Sequence, residues 1–401
     1  MRERIFRAIA IAIIAVVGCF SQSANAYPWM IRHDYNICIV CHTDPSGGNL
    51  LTAYGRGLSQ SVLSTELAAK HDEEAGAIKE FAFGAVTLPE NILLGAFWRQ
   101  GYIQNLNTDL QRVDKRPLTM RIDLEAYAKF GGVSFNVLGG VLPNASANGG
   151  RETLMLTHEE GDLAYIARTY WVGLDVQDGD ALIRVGRMNL PFGLRNAEHN
   201  AWVRSETRTD YNQQQQHGLS YYWSNGTVRA EAMLVEGNLQ MSPEKFRERG
   251  FVGFLEWRVS GAQAVALQAQ ALHSQVSTLA SDGGDLTRQS YGGFYRLVPH
   301  DDLALMFEAN LLVNAFASET KYGNVAFFQA DYEPFHGIHV MGTLEEKKSA
   351  VAGADRMYGA WLSGAVFPVS HTELRADAIY RKGEHATDPS ITVLFQGMFY
   401  L

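Results

Sequence analysis

Leu118-Thr119-Met120-Arg121-Ile122-Asp123-Leu124-Glu125-Ala126-Tyr127-Ala128-Lys129-Phe130 is the stretch that decides the fold. Its even positions are apolar and its odd positions are polar or ionic. Period two is the signature of a strand with one apolar and one ionic face. Wound as a helix, the same residues would scatter Arg121, Asp123, Glu125 and Lys129 around much of the circumference and leave no apolar stripe.

The pattern recurs along the chain. Val228, Ala230, Ala232 and Leu234 alternate with Arg229, Glu231 and Met233; Leu374, Ala376, Ala378 and Tyr380 alternate with Glu373, Arg375 and Asp377; Phe328, Ala330 and Tyr332 alternate with Gln329 and Asp331. Counting such runs from 92–104 to 391–401 predicts about sixteen strands. Tight turns (Gly131-Gly132, Asn225-Gly226, Ser260-Gly261, Pro299 to Asp301, Pro368 to Ser370) alternate with longer links near 105–116, 143–161, 189–216, 238–249, 275–286, 313–324, 346–356 and 382–390. Short turns at one end and long loops at the other describe an outer-membrane β-barrel. An even strand count places both chain ends in the periplasm, and the last strand carries Val393, Phe395, Phe399 and Leu401 in register. Positions 89–401 are therefore read as an all-β, antiparallel transmembrane barrel seated in outer-membrane lipid.

Composition agrees with this. The 401 residues carry a net charge of −9, which argues against nucleic acid. No apolar run after residue 20 has the roughly 20 residues of a membrane-spanning helix. Residues 1–26 read as a signal peptide, with Arg2, Arg4 and Arg7, an apolar stretch from Ile5 to Val17, and Ala24-Asn25-Ala26 as cleavage site. Cys19 offers a lipoprotein-type alternative. Inward positions of the barrel are rich in charge: Arg121, Asp123, Glu125, Arg184, Arg229, Glu231, Glu308, Asp331, Glu373, Arg375 and Asp377. They are expected to hydrate and cross-brace a water-filled lumen.

The segment 27–88 has a different texture, loop-like to about Gly57 and then one or two short helices over Ser59 to Glu80. It holds Cys38-Ile39-Val40-Cys41-His42, the C-x-x-C-H spacing of c-type haem attachment. Two thiols three positions apart can add to the two vinyl groups of one haem, and His42 is placed to ligate its iron from the proximal side. A zinc site would need two further ligands, and no second cysteine pair follows. The second axial ligand stays open between Met30 and His33, with His71 a third candidate. The longest link, 189–216, reads as a solvated extracellular loop. Inward folding, or a weak metal-contacting surface of Glu198, His199, Glu206 and Asp210, are the alternatives.

A signal peptide, one C-x-x-C-H near the mature start and a carboxy-terminal barrel together resemble the fused monohaem cytochrome–porins, among them the outer-membrane iron-oxidising cytochromes. The resemblance lies in layout, and only Cys38, Cys41 and His42 match at motif level. It implies one covalent haem c that passes electrons across the outer membrane, from extracellular Fe(II) or another reductant to a periplasmic carrier such as a soluble cytochrome. Fe(II) oxidase-type electron transfer is the activity this implies. A solute-transport porin with a haem-bearing plug or redox-sensing domain is the alternative.

Overall fold

The computed structural model describes residues 28–33, 35, 37–48, 50–65, 87–107, 112–143, 163–195, 201–211, 214–241, 244–277, 279, 284–386 and 388–400. The signal-peptide residues, Cys19, His71, Glu198 and His199 lie outside them. Sixteen strands follow in order: β1 (Ile92–Asn107), β2 (Arg112–Phe130), β3 (Val133–Pro143), β4 (Leu163–Val176), β5 (Ala181–Met188), β6 (Gln216–Ser224), β7 (Val228–Gly237), β8 (Arg249–Ser260), β9 (Gln263–Ser274), β10 (Leu286–His300), β11 (Leu303–Phe316), β12 (Thr320–Phe335), β13 (Ile338–Lys348), β14 (Arg356–Val366), β15 (Thr372–Gly383) and β16 (Ser390–Tyr400). Each pairs antiparallel with its sequence neighbours. The barrel closes where β1 meets β16, from Phe97 opposite Tyr400 to Asn107 opposite Ser390. Closure leaves no open sheet edge, the condition for a strand-built structure in lipid.

The outer face is apolar and exposed: Leu124 at 67%, Leu234 at 62% and Leu267 at 70% of full accessibility. Exposed aromatic residues flank this belt. Phe130, Trp257 and Phe335 stand toward the short-turn end, with Tyr165, Tyr322 and Tyr358 toward the other. Such paired girdles mark the two interfaces of a bilayer.

Two predicted long links prove short. The β1–β2 connection is 108–111 and the β11–β12 connection only 317–319, because both hairpins continue their ladders past the lipid belt. Asn314 pairs with Lys321 and Ala315 with Thr320. Polar strand tips lose the alternation that lipid imposes, so periodicity ends before hydrogen bonding does.

The inward charges correct a second expectation. All eleven named above are buried, with Arg184 and Asp331 at 0% exposure. They brace the interior but do not face an open water column, because the lumen is filled from both ends. Apolar residues at inward parity, among them Met233, Phe294, Met306, Phe327 and Met341, form the seats for that filling.

Candidate functional site

Residues 28–65 fill the lumen at the short-turn end. A 3-10 segment, Pro28–His33, presses Trp29 (5% exposed) onto an apolar seat of Phe294, Met306, Met341 and Phe367. Trp29 also packs on the His339 ring, centroids 4.1 Å apart. Arg32 then reaches into β12. Its Nη2 lies 3.0 Å from Asp331 Oδ1 and 3.1 Å from Glu333 Oε2, and its Nη1 donates to the Asp302 carbonyl at 3.0 Å.

Next comes the motif turn. A 3-10 turn over Cys38–Val40 lets Cys38 O accept from Cys41 N at 3.1 Å and from His42 N at 2.9 Å. One turn of chain thus carries both thiols and the imidazole, and the thiols form no disulfide. The chain then folds back on itself: Thr43 N donates to Leu50 O at 3.0 Å and Thr52 N to Cys41 O at 2.9 Å. Gly47 sits at φ +76°, where a Cβ would come within 3.1 Å of Cys38 Sγ. The helix α1 (Ala53–Leu58) follows, capped by the Thr52 hydroxyl, which accepts from Gly55 N at 3.1 Å. A Cβ on Gly55 would fall 2.2 Å from Cys41 O, so only glycine lets α1 lie directly on the motif backbone. A π-type turn continues to Leu63. The helix predicted over 59–80 therefore starts earlier, at Ala53; residues 66–86 lie outside the described ones.

Wall charges hold this segment in place. Asp44 Oδ2 lies 3.0 Å from Arg184 Nη1, and Arg184 also pairs with Glu231. Burial pushes the Asp44 carboxyl up, yet Arg184 and the Ser46 contacts outweigh it and hold the group below the usual carboxylate range. Leu50 N donates to Glu125 Oε2 at 2.9 Å. Arg229 Nη1 lies 3.0 Å from Cys38 Sγ, while Arg229 and Arg296 share Glu256.

The other half of the lumen is closed by the link between β5 and β6, which folds inward. The solvated-loop expectation fails here. Leu190, Phe192 and Leu194 are buried against the wall, and a short helix α2 (Trp202–Glu206) seats Trp202 and Val203 on Leu312, Val325 and Phe327. Arg204 pairs with Glu308 and Glu206 with Lys347. Arg208 and Arg288 both hold Glu248, pulling that carboxyl down to about 2 against the opposing effect of burial. Glu206 is thus engaged in ion pairing and Asp210 is buried; among the described residues the two join no cluster of metal-ligating groups. The inward link and the motif segment meet at Asn189 Nδ2 and Ser46 Oγ, 3.3 Å apart.

The donor set suits a covalently attached haem: two unbridged thiols on one turn with an imidazole next in sequence. Of the predicted second ligands, Met30 packs against the Trp29 seat. His33 differs. Its Nε2 is sealed from solvent and has no hydrogen bond among the described residues. Burial, then Arg32 and His336, pulls its imidazole down to about 4, so it stays neutral and able to ligate. Burial, then Cys38, pushes the Cys41 thiol up to about 11. Sequence reasoning missed Arg195. Its Nη2 donates to the Leu190 carbonyl, and its Nη1 is sealed from solvent with no partner among the described residues.

No family model matches the chain, and no curated protein matches it in sequence. Solved structures do. Outer-membrane-expressed OmpT of Vibrio cholerae aligns with a TM-score of 0.58 at 8% identity, over 79% of this chain and 100% of that one. This chain has the fold of an outer-membrane β-barrel. An anion-selective porin from Comamonas acidovorans gives 0.57 at 13% identity, over 77% and 99%. The outer membrane channel DcaP of Acinetobacter baumannii gives 0.53 at 11% identity, over 77% and 97%. What the barrel shares with them at such identities is its architecture.

Proposed function

We propose that this chain is an outer-membrane electron conduit: a porin-type barrel whose lumen is closed by a haem-bearing plug, so that electrons are its traffic. The filling of the interior is the observation that supports this reading. Among the described residues, charged wall residues such as Arg184, Glu308 and Asp331 are buried and pair with the plug (residues 28–65) or the inward link. A haem bonded through Cys38 and Cys41 and ligated by His42 supplies a one-electron centre. The residues around it do the rest. Arg32, Asp44 and Leu50 fix the plug to the wall, Arg229 sets a cation beside the Cys38 sulfur, and His33 offers a neutral imidazole as second ligand. In this reading the short turns and both termini face the periplasm, where a soluble carrier docks. The reductant, Fe(II) on the family resemblance, works from the long-link side.

Proteoliposomes loaded with ferricyanide test the reading. External Fe(II) is expected to reduce the trapped oxidant with wild-type protein, and a Cys38→Ser/Cys41→Ser double variant is expected to lose both that reduction and the peroxidase stain of covalent haem on denaturing gels. Equal rates for the two proteins would refute it.

The solved structures favour a second reading, since two of them are named a porin and a channel. Here solutes cross when the plug moves. Liposome swelling in small sugars separates the two: the conduit predicts none for the intact protein.

A further inference from the structure

Inside the lumen, Asp331, Glu333 and His339 gather around a cation, the guanidinium of Arg32. The same three residue types meet again at the opposite, long-link end of the barrel, in the open. Asp355 ends the link before β14, and Glu384 and His385 begin the link after β15. All three are exposed, and one ligand atom from each (two carboxylate oxygens and an imidazole nitrogen) lies within 4.8 Å of the others. The backbone brings them together. The β14–β15 ladder stops at Met357 opposite Gly383, and Glu384 N donates to the Arg356 carbonyl at 2.7 Å. Asp355 Oδ2 then accepts from His385 N at 3.2 Å, while its Oδ1 lies 2.7 Å from His385 Nδ1. An ordinary Asp–His ion pair accounts for those two residues and leaves Glu384 over. Among the described residues its carboxylate has no ion-pair partner, and the adjacent Arg356 is taken by Glu346. The outer trio thus has the donor set of the inner one without its cation.

We propose that Asp355, Glu384 and His385 form a binding site for a divalent transition-metal ion on the long-link face of the barrel. The donors select the class of ion. Imidazole suits zinc, iron, nickel and copper, whereas calcium and magnesium prefer all-oxygen sites. An ion such as zinc, bonded at about 2.0–2.2 Å to each donor, draws the three atoms closer together. Exposed side chains make that movement without disturbing the ladder beneath them. The electrostatics already favour a positive charge here: the hydrogen bond to Asp355, then the charges of Asp355 and Glu384, hold the imidazole above its ordinary range. Three protein ligands leave the remaining coordination positions to water, so the ion is exchangeable. Once bound, it ties the β13–β14 link to the β15–β16 link and clips the open end of the β14–β15 hairpin where hydrogen bonding stops. The site lies across the barrel from the plug and does not rest on the haem reading.

Calorimetric titration of the purified full-length protein in detergent with Zn²⁺, in the presence of excess Ca²⁺, tests this. Wild-type protein is expected to take up one Zn²⁺ that Ca²⁺ does not displace, and Co²⁺ at the same site should show visible ligand-field absorption. Asp355→Asn, Glu384→Gln and His385→Ala should each weaken Zn²⁺ binding by more than about tenfold, since even partners outside the ligand set contribute about 10–100-fold. Heat-modifiable gel mobility checks that each variant has assembled, and His385→Gln replaces the Ala variant if that one does not. His300→Ala is the control, an exposed histidine 3.3 Å from Asp302 at the short-turn end, and should bind as wild type does. Wild-type affinity in Glu384→Gln would reduce the trio to an ion pair and overturn the assignment. So would an equal loss in His300→Ala, or a wild-type protein that takes up no Zn²⁺ against Ca²⁺.

Discussion

Arg32 anchors the plug to β12, and Arg32→Ala should loosen it measurably. The substitution leaves Asp331 and Glu333, both with fully buried side chains, without their guanidinium; His339 lies 3.0 Å from Asp331 and His336 3.8 Å from Glu333. Removing one partner of a buried ion pair costs about 3–5 kcal/mol. At about 1.4 kcal/mol per decade, even 3 kcal/mol raises the population of undocked plug more than a hundredfold. Tryptic cleavage after Arg56, which is 2% exposed, reports that population in the folded barrel, provided undocking is fast relative to cleavage. Arg249→Ala is the control: its pairs with Glu244 and Glu236 are solvent-exposed, and such pairs contribute about 0–1 kcal/mol. Cleavage of Arg32→Ala no faster than that of Arg249→Ala would show that the plug is not held by this contact.

Further outcomes follow from other parts of the molecule. Leu124→Arg puts a charge on the lipid face, where it costs about 2–4 kcal/mol near mid-membrane; loss of heat-modifiable gel mobility should reveal failed assembly. Asp123→Asn should assemble but lower the unfolding midpoint in urea, because Arg121 and Arg168 both rely on that carboxylate. The Glu248 latch should depend on acid. Its folded pKa is depressed to about 2 from 4.5, so its contribution is complete above pH 4.5 and is lost as pH falls through 2. That shift corresponds to about 3 kcal/mol. Glu248→Gln should flatten the acid limb of protease sensitivity in the inward link, and an unchanged limb would assign the acid response elsewhere.

The barrel was legible because lipid enforces one rule on every strand. Leu118 to Phe130 displays it, and the same alternation marks each of the other strands closely enough to count them. The C-x-x-C-H turn was legible as a local unit, three residues within five positions, and one 3-10 turn carries it in the structure. The filling of the lumen was not, since its contacts join residues far apart in sequence: Arg32 with Asp331, Cys38 with Arg229, Asn189 with Ser46. A trace of it was nonetheless present. Met233 and Val235, or Val325 and Phe327, are apolar at positions whose parity points inward, which an open aqueous pore does not favour. The start of α1 was hidden because Gly55 and Gly57 read as loop, whereas Gly55 is there to let the helix touch the Cys41 carbonyl.

The plug is also stitched to both edges of the barrel seam. Arg56 donates to the Leu94 carbonyl on β1, and the Ser59 hydroxyl meets the Tyr400 hydroxyl of β16 at 2.9 Å. β1 and β16 are the two strands whose pairing closes the sheet. A plug fastened across that join acts as a template for zipping it. It also sets a timetable for manufacture. Any group bonded to Cys38, which lies behind Arg229 and under Gly47, belongs to the interval after export and before the join is sealed. Chains that reach the membrane without it would close around an incomplete interior, giving quality control during assembly a defect to detect.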